Sequence, residues 1–131
     1  SEPAARLQDL AAGIADSGVD DILLFGMGGS SLAPEVFQRT LGNARGRAPL
    51  TVLDTTHPDA IASVARGIDP TRTVCVVSSK SGSTIETTSL FYFFWSLIEG
   101  NHPAPGSRFL AVTDPGSVLE RLAGERSFRA V

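Results

Sequence analysis

The sequence predicts an α/β fold: a doubly wound parallel sheet of five strands with helices on both faces. Three observations carry this. Short apolar runs alternate along the chain with longer segments whose apolar residues recur at helical spacing. The runs, such as Ile22-Leu23-Leu24-Phe25 and Val74-Cys75-Val76-Val77, are continuous in apolar character, as in strands buried on both faces. The first and third runs each lead into a turn dense in glycine or serine, Gly26-Met27-Gly28-Gly29-Ser30-Ser31 and Ser78-Ser79-Lys80-Ser81-Gly82-Ser83-Thr84-Ile85-Glu86-Thr87. In the flavodoxin-like order 2-1-3-4-5, strands one and three are neighbours. The two turns then converge at the carboxyl edge, where such sheets bind ligands.

Each element has its own signal. Leu7, Leu10, Ala11 and Ile14 mark a helix from about residue 3 to 16, and Gly18 stops it. Residues 22–25 are the first strand. A helix with Leu32, Val36, Phe37 and Leu41 inward follows the first turn and ends at Gly42. Leu50 to Leu53 is the second strand, closed by Asp54-Thr55-Thr56-His57. Pro58 suits a first helical position, and Ile61, Val64, Ala65 and Ile68 trace one helix face. Thr73 to Val77 is the third strand. The helix after it carries Leu90, Phe91, Phe93, Phe94, Leu97 and Ile98, and being apolar nearly all round it is expected to be buried on more than one side. That character suits a core helix or one that meets a partner subunit. Phe109 to Val112 is the fourth strand. Asp114 is a candidate N-cap with Pro115 at the first helical position, Val118, Leu119 and Leu122 facing inward, and Gly124 ending the helix. Residues 127–131 are the expected fifth strand.

Composition bounds the function. A chain of 131 residues, 42% hydrophobic and 19% charged, is long enough for one domain with a core and is not disordered. The net charge of −3 and the absence of a Lys/Arg run argue against nucleic acid as a partner. The single Cys75 excludes an internal disulfide and a cysteine-based zinc site, and inside a strand it reads as a small core residue. No signal peptide is visible, and the longest apolar run, Leu90 to Trp95, is too short to span a bilayer. A cytoplasmic protein without a membrane partner is expected.

The second turn reads as a phosphate cradle. Six of its ten residues are Ser or Thr, and a helix cap needs only one. A strand-to-helix turn aims backbone N–H groups and the positive end of a helix dipole outward, which suits an anion. Hydroxyls add donors and Lys80 adds a point charge. Glu86, in the first helical turn, has two readings: favourable placement against the dipole, or a carboxylate beside the cradle that orients a catalytic base.

Competing motifs are weaker. Gly26-x-Gly28 with Asp54 after the second strand hints at a dinucleotide site, but Ser31 stands where that fingerprint has its third glycine. Neither a Gly-Lys-Ser/Thr loop nor a Gly-x-Ser-x-Gly elbow occurs. His57 and His102 lie apart without clustered acids, so no metal site is indicated. His57 follows a strand end and reads more readily as a turn or cap residue than as a site residue.

Together the two turns resemble the sugar isomerase domain of phosphoglucose isomerases. Gly26-Met27-Gly28-Gly29-Ser30-Ser31-Leu32-Ala33-Pro34 is similar to that family's first glycine-rich signature, and Ser79-Lys80-Ser81-Gly82-Ser83-Thr84-Ile85-Glu86-Thr87 to its phosphate loop. Leu53-Asp54-Thr55-Thr56-His57-Pro58 looks like the isomerase half of transaldolase–phosphoglucose isomerase fusions. The resemblance implies that Ser79, Lys80, Ser81 and Thr84 hold a sugar phosphate, that Gly29 and Ser30 approach the sugar, and that Glu86 orients a ring-opening histidine from a neighbouring subunit. It implies interconversion of glucose 6-phosphate and fructose 6-phosphate through a cis-enediol, no metal or organic cofactor, and a homodimer.

The family's proton-shuttling glutamate and enediolate-stabilising arginine lie further along than Val131. The 131 residues are thus expected to be one sugar-phosphate-binding domain, a fragment of a longer enzyme, that binds without turning over. The same domain also serves regulators as a non-catalytic sugar-phosphate sensor, which would call for a basic DNA-binding element upstream. An amino-sugar-forming amidotransferase is a further alternative that the order of motifs disfavours.

Overall fold

The computed structural model describes residues 18–26, 50–53, 56–79 and 85–129. Its strands are β1 (Asp21–Phe25), β2 (Leu50–Leu53), β3 (Thr73–Ser78) and β4 (Phe109–Val112), and its helices α1 (Pro58–Gly67), α2 (Ile85–Glu99) and α3 (Val118–Glu125). Short 3-10 turns at Pro70–Arg72 and Pro105–Arg108 lead into β3 and β4. The strands form one parallel sheet in the order β2-β1-β3-β4. This is the expected order through strand four, with β1 and β3 side by side. The expected helices at about 3–16 and around 32–41 lie outside the described residues. Gly18, read as a stop, has a φ of 74°.

Register and periodicity place the core. Leu23 pairs with Cys75 and Phe25 with Val77, and these pair onward with Phe109 and Ala111. Partners in register point the same way, so all six, with Leu53, face one layer made by α2 and α3. From α2 come Leu90, Phe91, Phe94, Trp95 and Ile98, and from α3 Leu119 and Ala123. Ile61, Val64, Ala65 and Ile68 flank this core along α1, on the face that their spacing foretold. Phe25 stacks on Phe94 with ring centroids 5.2 Å apart, and Phe109 meets Phe91 edge-on at 5.4 Å. Each fully buried side chain of this size contributes roughly 1.5–3 kcal/mol. Cys75 lies wholly within this core, and burial pushes its thiol pKa far up. The opposite sheet face, with Ile22, Leu24, Val74, Val76 and Leu110, is buried as well. The described helices all pack on the Leu23–Phe25 face, so helices on both faces are not seen among the described residues.

Four expectations change. The fifth strand is not formed over its described part, residues 127–129. There α3 ends in a Schellman arrangement: Phe128 N–H donates to Ala123 O at 2.9 Å and Ser127 N–H to Gly124 O at 3.3 Å, with Ser127 in the left-handed region at φ 56°. Arg129 N–H then donates to Phe109 O at 2.9 Å, so the chain returns to the β4 edge where a further strand would pair. Secondly, Gly124 lies inside α3 and does not end it. Thirdly, α3 starts at Val118, not at Pro115. Asp114-Pro115-Gly116-Ser117 is a turn with Gly116 at φ 77°, and Ser117 is the N-cap. Proline second and a positive-φ glycine third suit a type II turn, which cannot also be a helix start. Val118 is accordingly exposed, not inward. Finally, α2 is buried on one broad side only. Tyr92 and Phe93 are each nearly half exposed, and Ile85 is open to solvent.

Candidate functional site at the carboxyl edge

Parallel strands deliver all their carboxyl ends to one edge, and here the register fixes which ends meet. Phe25 is level with both Leu53 and Val77. Gly26 N–H donates to Leu53 O at 3.3 Å, and a Cβ at Gly26 would lie 3.7 Å from Ser78 O. The main chains that lead into the two glycine- and serine-rich turns therefore run in contact. On the far side, Ser79 N–H donates to Val112 O at 3.1 Å, which ties the start of the second turn to β4. The edge thus brings together Gly26, Ser78, Ser79 and Thr113.

Ser79 is only 7% exposed. It sits at the base of the turn, where its main chain extends β3. Glu86 is exposed in the first turn of α2, so its carboxylate is open to a partner while it complements the positive end of the dipole. Gly29, Ser30, Lys80, Ser81 and Thr84 lie outside the described residues, as do Gly28, Ser31 and Asp54 of the dinucleotide alternative. α2 has fifteen residues, and its N-terminus concentrates partial positive charge where the second turn arrives.

The histidines fall to local structure. His57 is the N-cap of α1, its Nδ1 accepting the Asp59 N–H at 3.3 Å, with Pro58 at the first helical position as expected. His102 Nδ1 accepts the Ala104 N–H at 2.9 Å in the loop before β4. Among the described residues, no group of three or more His, Cys, Asp or Glu side chains could hold a metal ion, and no helix is long and apolar enough to cross a membrane.

Two features of this edge escape a reading of the sequence. Thr113 Oγ1 lies 2.7 Å from Ser117 Oγ, which links the end of β4 to the cap of α3. Thr87 is 3% exposed, and its hydroxyl has no hydrogen-bond partner among the described residues. The signal for its burial was present: positions 87, 90, 91, 94 and 98 form one helix stripe.

A family model for phosphoglucose isomerase matches residues 8–99. A curated relative is the glucose-6-phosphate isomerase of Citrifermentans bemidjiense, 35% identical over 115 residues, which are 85% of this chain and 21% of that protein. The solved glucose-6-phosphate isomerase of Chlamydia trachomatis is similar with a TM-score of 0.80 and 28% identity, over 99% of this chain and 25% of that one. A Thermus thermophilus structure, solved as a hypothetical protein, gives a TM-score of 0.83 at 27% identity over 98% of this chain and 31% of that one. The chain thus spans between 21% and 31% of the length of these proteins.

Proposed function

Because the chain belongs to the phosphoglucose isomerase family, we propose that it is the sugar-phosphate-binding domain of a glucose-6-phosphate isomerase. Residues 1–131 form a single such domain of a longer enzyme. The enzyme moves a proton between C1 and C2 of the open-chain sugar through a cis-enediol. These residues supply recognition and not the proton shuttle. Ser79, Lys80, Ser81 and Thr84 hold the phosphate, Gly29 and Ser30 approach the sugar, and Glu86 orients the ring-opening histidine of a partner subunit in a homodimer.

The observation that supports this most is the adjacency of β1 and β3. It sets Gly26 against Ser78 and starts both turns from one point of the edge. The dipole of α2 adds a fixed positive end that needs no metal to receive a phosphate. The physics also fits the division of labour: a phosphate dianion is strongly held by backbone N–H groups and hydroxyls, and its binding energy can be used to orient a reacting centre elsewhere on the sugar.

The test is a calorimetric titration of the chain with fructose 6-phosphate, repeated with Thr84→Ala and with unphosphorylated fructose. Saturable binding that requires both the phosphate and Thr84 is expected. Binding to a nicotinamide dinucleotide and not to the sugar phosphate would overturn the reading. Isomerisation by the 131 residues alone would overturn the division of labour.

A further inference from the structure

Thr87 carries a hydroxyl that the sugar-phosphate reading leaves without work. It sits on the buried stripe of α2, one turn below the second loop, and its Oγ1 meets no partner among the described residues. A buried hydroxyl without a hydrogen bond costs about 1–3 kcal/mol, and a valine of the same shape would avoid that cost. The surroundings supply a reason for threonine. Thr87 lines a cavity of about 20 Å³ whose other polar walls are Ser79 and Thr88, closed from the core by Phe91, Leu119 and Leu122. A buried water needs at least ~10–15 Å³ of such space and two or more polar neighbours, whereas a purely apolar space stays dry.

We infer that one buried water occupies this cavity and bridges Thr87 Oγ1 to Ser79, so that Thr87 is a positioning residue for the first residue of the phosphate loop. The hydroxyl is both donor and acceptor, so it can serve the water in either direction. Ser79 is held on its other side by Val112 O, at 3.1 Å from its amide nitrogen. The water adds an anchor on the helix side and so links Ser79 to α2 as well as to β4. The consequence for ligand affinity rests on the sugar-phosphate reading, whereas the water itself does not.

The experiment compares Thr87→Val, which keeps the volume and removes the hydroxyl, with Thr87→Ser, which keeps the hydroxyl. Thermal melts without ligand come first. A bridged hydroxyl predicts that Thr87→Val melts a few degrees lower than the unaltered chain while Thr87→Ser retains most of the midpoint. An idle hydroxyl predicts the reverse for Thr87→Val, a higher midpoint, and that result overturns the inference. Titration with fructose 6-phosphate is the second readout. Thr87→Val is expected to bind about tenfold more weakly, and Thr87→Ser to stay close to the unaltered chain. Unchanged affinity in a folded Thr87→Val chain overturns the positioning role. If the unaltered chain binds no sugar phosphate, the functional reading fails, and the melts alone then decide whether the water is there.

Discussion

The Ser117 hydroxyl accepts the Glu120 N–H at 3.1 Å, while the Glu120 carboxylate reaches back to accept the Gly116 N–H at 2.9 Å. The reciprocal pair ties the turn after β4 to the first turn of α3. Ser117 Oγ also lies 2.7 Å from Thr113 Oγ1, so one hydroxyl joins strand, turn and helix. Replacing Ser117 by alanine is expected to lower stability by about 0.5–2 kcal/mol. Urea denaturation followed by circular dichroism measures this. An unchanged midpoint would show that the cap contributes nothing.

Gly106 is buried where the end of α3 crosses it. A Cβ there would press on Arg126 O and lie 2.5 Å from Ser127 O, and neither backbone atom can move without undoing the Schellman closure. Gly106→Ala is therefore expected to cost about 1–3 kcal/mol or more. Gly67→Ala, with nothing within 4 Å of the new methyl, is the control and should change stability by no more than about 0.5 kcal/mol. Equal midpoints for the two variants would contradict the close approach.

Phe93 and Phe94 are neighbours in sequence with opposite surroundings. Phe94 is fully buried and stacked on Phe25, whereas Phe93 is 44% exposed. Phe94→Ala should cost about 3–5 kcal/mol. Phe93→Ser should cost much less and should not impair solubility, because it removes exposed apolar surface. Comparable losses at both positions would restore the picture of a helix buried on more than one side.

Asp69 supplies the pH dependence. Its carboxylate accepts the Thr71 hydroxyl at 2.7 Å and the Thr71 N–H at 2.9 Å, and these bonds hold its pKa below the ordinary carboxylate value. A folded-state pKa lower than the unfolded one means stability that is fully present above the unfolded value, about 4, and is lost as pH falls through the folded value. The stability gap between the unaltered chain and Asp69→Ala should therefore be constant near neutrality and shrink in acid. Denaturation midpoints of both chains at neutral pH and near pH 3 measure it. A gap that widens in acid would reverse the sign.

How far the sequence reveals the fold depends on how many physical meanings each signal has. Leu50 to Leu53 and Phe109 to Val112 are legible to their observed ends, because a continuous apolar run between turn residues has few other uses. The start of α3 is misplaced at Asp114-Pro115 in the sequence, because that pair is a start signal as well as a turn signal, whereas Ser117 is the N-cap. The positive φ of Gly116 makes the pair a turn, and a sequence does not display φ. Gly124 misled for a related reason: glycine favours the left-handed position beyond a helix, yet here Ser127 takes it. Aromatic density in α2 showed that the helix meets a core but not which of Tyr92, Phe93 and Phe94 it turns outward. At the carboxyl edge, the adjacency of the points from which the two turns start follows from strand order alone. The burial of Thr87 did not, because a threonine within a phosphate-loop motif looks like part of the loop.

The pairing of Ile22 with Val74 has a kinetic side. The two strands that carry the proposed site are distant in sequence, and closing the chain between them costs entropy before any contact repays it. No local segment can form the edge early. It appears with the sheet, and it disappears with the sheet when the chain opens. A ligand that grips both turns would act as a clasp across that long loop, slowing its opening and raising the unfolding temperature with concentration.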